Sequence, residues 1–250
     1  MSKISASIVT YNSSDVIANL LDGLKDCQID DVVVVDNNSS DDTTHIVSEE
    51  YPWVKLITSK KNLGYGGGHN IAIRKVESDI HFIINPDIKV NNEQIHSMVS
   101  FMETNPDVVL MCPKVLNNDG TEQFLPKRNP RLKYLIGGFF GINHLRDEYT
   151  MKKSVFLKPT EVDFCTGCFM TCKTSCLKEC GGFDERFFLY FEDADLSRRM
   201  KKLGKVVYNP HSTVVHGWKR ENGRTLRGVL RFLCSFYKYK RKWKNEKTRS

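Results

Sequence analysis

The chain has 250 residues, 40% of them hydrophobic and 27% charged, which are ordinary values for a globular protein long enough to bury a full core. No stretch approaches the roughly 18 uninterrupted apolar residues of a membrane span, and an alternating pattern follows Lys3 where an export signal needs a long apolar run. The net charge of +7 is unevenly divided: residues 219–250 hold twelve Lys/Arg against two Asp/Glu, leaving a mildly acidic body and a strongly basic C-terminal segment.

Ile4–Thr10 alternates and predicts a strand. Tyr11–Asp15 is a turn ending in good helix-capping residues, and Ile17, Leu20, Leu21 and Leu24 follow at helical spacing. Val32–Val35 is a continuous apolar run, as in a strand covered on both faces. It stops at Asp36-Asn37-Asn38, and a short helix runs on to about Glu50. Val54–Ile57 is a third strand. Asn62–Asn70, with Gly64, Gly66, Gly67 and Gly68, predicts a mobile glycine-rich loop opening onto a helix of Ile71, Ile73 and Val76. It fails as a dinucleotide fingerprint, because His69 stands at the third glycine position and the loop follows the third strand. Phe82–Ile84 is a fourth strand, ending at Asn85-Pro86-Asp87.

This β-α-β-α-β-α-β order predicts an α/β fold with a mostly parallel central sheet flanked by helices. Ligands of such sheets sit beyond the carboxyl ends of the strands, here Thr10-Tyr11-Asn12, Asp36-Asn37-Asn38 and Asn85-Pro86-Asp87. A divalent cation between Asp87 and a diphosphate would neutralise a leaving group, and His211 or His216, after the last strand, can supply a second ligand.

A helix over Ile95, Met98, Val99 and Met102 and a strand near Val108–Cys112 come next. Residues 113–160 are broken by prolines and glycines and predict an irregular insertion beside a second substrate. Strand character returns over Val162–Cys172 and again at Val206–Tyr208. Five of the eight cysteines fall between Cys165 and Cys180, a spacing open to a metal cluster or to small buried residues; a reducing compartment with free thiols is expected. Between these strands, the Gly181-Gly182-Phe183-Asp184 turn leads into Phe188–Arg199, where Glu192, Asp193 and Asp195 stand against aromatic residues at the start of a helix. Desolvation there raises a carboxylate's pKa toward that of a useful base.

Thr10-Tyr11-Asn12, Val35-Asp36-Asn37, Asn62-Leu63-Gly64, Asn85-Pro86-Asp87, Gly181–Glu185 and Tyr190–Leu196 together resemble glycosyltransferase family 2, inverting enzymes of the GT-A nucleotide-diphospho-sugar transferase fold. The variant with Asn-Pro-Asp is similar to bacterial rhamnosyltransferases of surface-polysaccharide assembly. The resemblance implies a GT-A domain over 1–218, with a nucleotide-sugar half (1–112) and an acceptor and catalytic half (113–218), followed by a basic tail (219–250).

The resemblance also implies roles. Thr10, Tyr11, Asn12 and Asp36 line the nucleotide pocket; Asn62, Gly64, Asn70 and Asn85 border the donor. Asp87 and His216 hold Mg2+ or Mn2+, and Asp193 is the general base. Gly167, Asp184, Glu192, Asp195 and Arg199 are acceptor-side or supporting positions. The implied reaction moves a sugar, rhamnose from dTDP-rhamnose, to a lipid-linked or oligosaccharide acceptor. The alternatives are another UDP- or dTDP-sugar, or a non-catalytic nucleotide-sugar-binding subunit.

In the tail, Val229, Leu230, Leu233 and Tyr237 recur at helical spacing from Leu226, with Arg224, Arg227, Arg231 and Lys238 on the other faces. That composition predicts a helix lying on an anionic membrane surface and peripheral attachment at the cytoplasmic face. No base-reading motif accompanies the charge, so nucleic acid is not the expected partner.

Overall fold

A computed structural model describes residues 2–217 and 225–244. The first half is a parallel block of β1 (Ile4–Thr10), β2 (Asp31–Asp36), β3 (Lys55–Thr58) and β4 (Ile80–Ile84), in the order β3-β2-β1-β4. Its register sets Thr10 beside Asp36 and Ile8 beside Ile84, so the strands end together along one edge. The apolar run of β2 is divided between two cores. Val32 and Val34 face α1 (Ile17–Lys25), α2 (Thr43–Glu50) and α4 (Asn92–Thr104); Val33 and Val35 face α3 (Gly64–Ile73). Each such side chain contributes about 1.5–3 kcal/mol on full burial, which is why a central strand is written as an unbroken valine run.

Beyond β4 the sheet is mixed. β8 (Phe169–Lys173) pairs antiparallel with both β4 and β6 (Val108–Leu116). β6 then pairs parallel with β9 (Lys205–His216), and β9 holds the short strands β5 (Ile88–Lys89) and β7 (Thr160–Glu161) antiparallel. β9 is longer than its predicted segment. A register shift against β6 at Pro113/Lys114 lets it run past Pro210, so His211 and His216 lie within the strand rather than after it. On the outer face, α7 (Thr174–Glu179) and α8 (Glu192–Met200) cover the sheet through Leu177, Leu196 and Met200.

The glycine-rich segment is helix, not a mobile loop. α3 starts at Gly64, and its glycines let it lie against its neighbours. A Cβ on Gly66 would stand 2.6 Å from Cβ of Phe183, and one on Gly68 would stand 2.7 Å from Cγ1 of Val9. Close approach offsets a propensity cost of about 1 kcal/mol per glycine. Residues 113–160 are likewise less irregular than expected, because β6 continues to Leu116 and α5 (Leu132–Phe139) packs on α6 (Asn143–Tyr149).

The cysteines divide between the two cores. Cys168 packs on one face of the sheet, and Cys165 and Cys172 on the other, with Cys176 and Cys180 half-buried beside them. Burial pushes the thiols of Cys165, Cys168 and Cys172 up, which keeps them neutral. Cys234 is exposed.

The basic tail forms α9 (Leu226–Lys242) and packs on the body. Phe236, Tyr239 and Trp243 are buried against Phe164, Phe187 and Phe191. The face expected to meet a membrane is a different one: Val229, Leu230, Leu233 and Tyr237 stay exposed. Arg224 lies outside the described residues. No helix among the described residues is long and apolar enough to cross a membrane.

Candidate active site

The edge where the parallel strands end carries the first group. Asp36 is buried and accepts hydrogen bonds from Thr10 Oγ1 at 3.0 Å and from the N–H and Oγ of Ser39. Its carboxylate therefore braces the turn after β2. Asn12 adopts φ 52° and caps the same turn, its Oδ1 accepting from the Ser40 N–H at 2.8 Å. Tyr11 stands exposed above them, its ring open to a planar ligand. Asn37, absent from the expected pocket residues, donates to the Gly64 carbonyl at 2.9 Å and fixes the start of α3; Asn62 accepts from the Gly64 N–H.

Asn70 does not border this edge. Its amide donates to the Phe183 carbonyl and to Glu185, and its Oδ1 accepts from the Phe183 N–H at 2.8 Å. It clamps the Gly181–Asp184 turn onto α3 instead.

A second group forms where β5 pairs with the end of β9, a register that sets Ile88 beside His216. His216 Nε2 lies 3.2 Å from Asp87 Oδ1 and 3.4 Å from Asn85 Nδ2. The predicted Asn85, Asp87 and His216 thus converge on one spot. Gln123 was not foreseen: its Oε1 lies 3.1 Å from His216 Nδ1, and its Nε2 donates to the His216 carbonyl. The contact at Nδ1 sets the ring's orientation. One carboxylate oxygen and one imidazole nitrogen fit a divalent cation that takes its remaining ligands from a diphosphate and water. Among the described residues, no cluster of three or more His, Cys, Asp or Glu surrounds such a position.

The third group is the start of α8. Tyr190 and Phe191 both adopt left-handed backbone, with φ 72° and 68°. Two consecutive bulky residues there are uncommon and cost on the order of 1–3 kcal/mol each. The turn they make presents Glu192 and Asp193 at the helix N-terminus, where the dipole favours a carboxylate. Asp193 is half-buried; its Oδ2 accepts from the Gly167 N–H at 3.2 Å and its Oδ1 from the Ala194 N–H at 2.8 Å. Tyr65, also unforeseen, donates its hydroxyl to the Gly167 carbonyl.

Full desolvation falls on Glu192. Burial, and secondarily the charge of Asp193, push its carboxyl well above the usual carboxylate range. Its Oε2 is buried with no hydrogen-bond partner among the described residues. Burial and the unpartnered oxygen thus favour the protonated form of Glu192 beside Asp193.

Asp195 and Arg199 face away from this site. Asp195 is fully buried and accepts from Arg199 Nε, Lys242 Nζ and Trp243 Nε1 at 2.8, 2.8 and 2.9 Å. Arg199 also donates to the carbonyls of Cys180 and Gly182 at 2.6 Å. Asp184 belongs to the same assembly: Arg186, then Lys242, hold its carboxyl below the usual range. These residues orient α8 and tie α9 to it.

The second and third groups are adjacent. The Asn85 N–H donates to the Cys168 carbonyl at 2.9 Å, and the next residue back, Gly167, holds Asp193. A carboxylate thus stands near a diphosphate-sized polar corner, an arrangement able to remove a proton on one side of a reacting carbon while a phosphate leaves on the other.

Comparison with known proteins identifies the family. The chain is 28% identical over 212 residues to an N-acetylglucosaminyl-diphospho-decaprenol L-rhamnosyltransferase of Mycobacterium tuberculosis, covering 77% of this chain and 68% of that one. It is 25% identical over 246 residues to rhamnosyltransferase WbbL of Escherichia coli, covering 93% and 90%. The structure resembles that of mannosyltransferase PcManGT from Pyrobaculum calidifontis in complex with GDP-Man and Mn2+, with a TM-score of 0.66 at 17% identity. That match covers 96% of this chain but 64% of the other, so the chain spans less than two thirds of its structural neighbour. The family model for glycosyl transferase family 2 matches residues 5–181, most of the α/β body. By fold and sequence alike, the chain belongs to glycosyl transferase family 2 and, with it, to the glycosyltransferases.

Proposed function

We propose that the protein is an inverting sugar transferase of cell-surface polysaccharide assembly, moving rhamnose from dTDP-rhamnose to a hydroxyl of a lipid-linked or oligosaccharide acceptor. The carrying observation is the adjacency of Asp193 to the Asn85, Asp87 and His216 corner through the Gly167-Cys168 peptide. The choice of rhamnose rests on the two relatives, whose names specify rhamnosyl transfer; one names a diphospho-decaprenol acceptor.

In this reading residues 1–112 hold the donor and 113–218 the acceptor. Tyr11 stacks on the base, and Thr10, Asn12, Asp36, Asn62 and Gly64 shape the wall of its pocket. Asp87 Oδ1 and His216 Nε2 hold a Mg2+ or Mn2+ ion, which when bound neutralises charge on the departing diphosphate. Asp193 takes the acceptor's proton as its oxygen attacks the anomeric carbon from the face opposite the diphosphate. Gly167 orients that carboxylate. Asn70, Asp184, Asp195 and Arg199 position α8 and its preceding turn. The exposed stripe of α9, with the basic charge of the tail, rests on the anionic cytoplasmic face of a membrane where a lipid-linked acceptor is found.

The test is transfer and binding by Asp193→Asn. It is expected to bind nucleotide sugar as the native protein does and to lose transfer. Full turnover by this variant would remove Asp193 as the base. A thermal-shift panel of nucleotide sugars, with and without Mn2+, identifies the donor; the largest stabilisation by a sugar other than dTDP-rhamnose would overturn that choice.

A further inference from the structure

α9 has two apolar faces, and among the described residues only one is covered. Residues 230, 233, 237, 240 and 244 recur at alternating spacings of three and four, so they share one side of the helix. Leu230, Leu233 and Tyr237 on that side are 54%, 50% and 65% exposed. Lys240 and Lys244 prolong the same line at its C-terminal end, and both are exposed.

At that end a pocket of about 220 Å³ opens between α8, α9 and the segment before α5. Its wall includes Arg131, Arg198, Lys240 and Lys244, with Tyr239 and Trp243 at its apolar side, and no carboxylate among the described residues lines it. Arg198 stacks over the Trp243 ring at 4.3 Å, which holds the guanidinium plane in place. Four cationic side chains around a cavity of this size match a phosphate group, whose oxygens accept several charge-assisted hydrogen bonds at once. Phosphate from solution does not account for the exposed apolar line leading to the pocket. A lipid headgroup does, because its phosphate lies at the depth where lysines at the end of a half-inserted helix extend.

We propose that this pocket binds the phosphate of an anionic membrane lipid. The inference rests on the membrane docking of α9 given above and adds a specific headgroup site to it. The occupant lies against Trp243, whose indole holds Asp195 on α8, so the site is one residue removed from the helix that carries Asp193.

The test is sedimentation of the full chain with phosphatidylcholine vesicles, with and without phosphatidylglycerol. The variant Arg131→Gln/Lys240→Gln removes two pocket charges. The variant Arg227→Gln/Arg241→Gln removes two charges of α9 outside it. General attraction to the surface falls alike in both, by a similar amount per charge, so a specific site is read as an extra loss of about tenfold or more in the pocket variant. Equal weakening of the two variants, with melting temperatures unchanged, would overturn the pocket and leave membrane docking standing. Absence of binding by the native chain to either vesicle overturns docking and pocket together. A rise in melting temperature of the native chain with inorganic phosphate or an oligonucleotide that is lost in the pocket variant, while both variants bind phosphatidylglycerol vesicles equally, assigns the pocket to a soluble anion and overturns the lipid.

Discussion

The indole Nε1 of Trp243 donates to Asp195 Oδ1 at 2.9 Å, joining the last turn of α9 to a helix whose first turn bears Asp193. A residue near the end of the chain thereby helps to support the helix proposed to carry the base. Trp243→Phe keeps the ring and removes the donor. Hydrogen bonds to charged groups contribute about 1.5–3 kcal/mol, so a fall in melting temperature is expected, together with a lower kcat and an unchanged KM for the donor. Thermal denaturation and donor titration measure both; a changed donor KM with native kcat would contradict this role.

The corner formed by Asp87 and His216 predicts linked metal and donor binding. Asp87→Ala or His216→Ala should weaken nucleotide-sugar binding in Mn2+ and leave the residual binding in chelator unchanged. Gln123→Ala, which removes the contact at His216 Nδ1, is expected to cost about tenfold to a hundredfold in metal affinity. Calorimetric titration with and without Mn2+ distinguishes these effects from general unfolding.

Gly64 has φ +77°, and a Cβ there would collide with the Phe188 carbonyl. Gly64→Ala combines a left-handed penalty of about 1–2 kcal/mol with that collision. Since the Tyr65 N–H donates to the same carbonyl at 3.0 Å, the turn leading to Glu192 should shift with it. Lower stability and lower transfer are expected together, whereas Gly138→Ala, with open space around it, should change neither.

Glu192 and His81 set opposite pH dependences. Burial raises the Glu192 pKa, so the folded state keeps a proton that the unfolded chain releases above about pH 4.5; this contribution to stability is lost as pH rises from there. Glu192→Gln keeps the neutral shape and should be more stable than the native protein at pH 8, by a margin that shrinks toward pH 4. Denaturant melts at the two values read this directly.

His81 is buried between Ser5 and Ser7, and burial, with Lys178 second, lowers its pKa from 6.5 to about 3. The unfolded chain binds a proton here below pH 6.5 that the folded state refuses until about pH 3, so stability falls as pH drops through this window. His81→Gln should flatten that slope while lowering stability at pH 7, because Ser5 and Ser7 lose a partner. An unchanged slope between pH 6 and 4 would show that other groups dominate acid unfolding.

Much of the site was readable because its residues obey local pattern. Val32–Val35 announces a central strand, and the residues just past the end of a parallel strand in an α/β sheet face the ligand cleft; Asp36 and the Asn85-Pro86-Asp87 run are found this way. Tyr65 and Gln123 were not readable. Each acts on a residue about a hundred positions away, at Gly167 and His216, and nothing in its own neighbourhood marks it. The glycines of α3 read as a loop because propensity weighs the isolated segment, while Phe183 and Val9 decide it in the fold. In α9, periodicity found an apolar face and could not say which of two meets the body. The aromatic line of Phe236, Tyr239 and Trp243 won because Phe164, Phe187 and Phe191 leave a place for it.

The distribution of the cysteines has a practical consequence. Burial raises the thiol pKa of Cys27 to about 11 and pushes Cys165, Cys168, Cys172 and Cys180 up as well, whereas Cys234 is exposed on α9 beside Leu233. A maleimide dye offered briefly at neutral pH should therefore enter first at Cys234. The native chain thus carries a built-in attachment point for a fluorophore on the helix proposed to meet lipid, and its emission can follow that encounter in real time without an engineered residue.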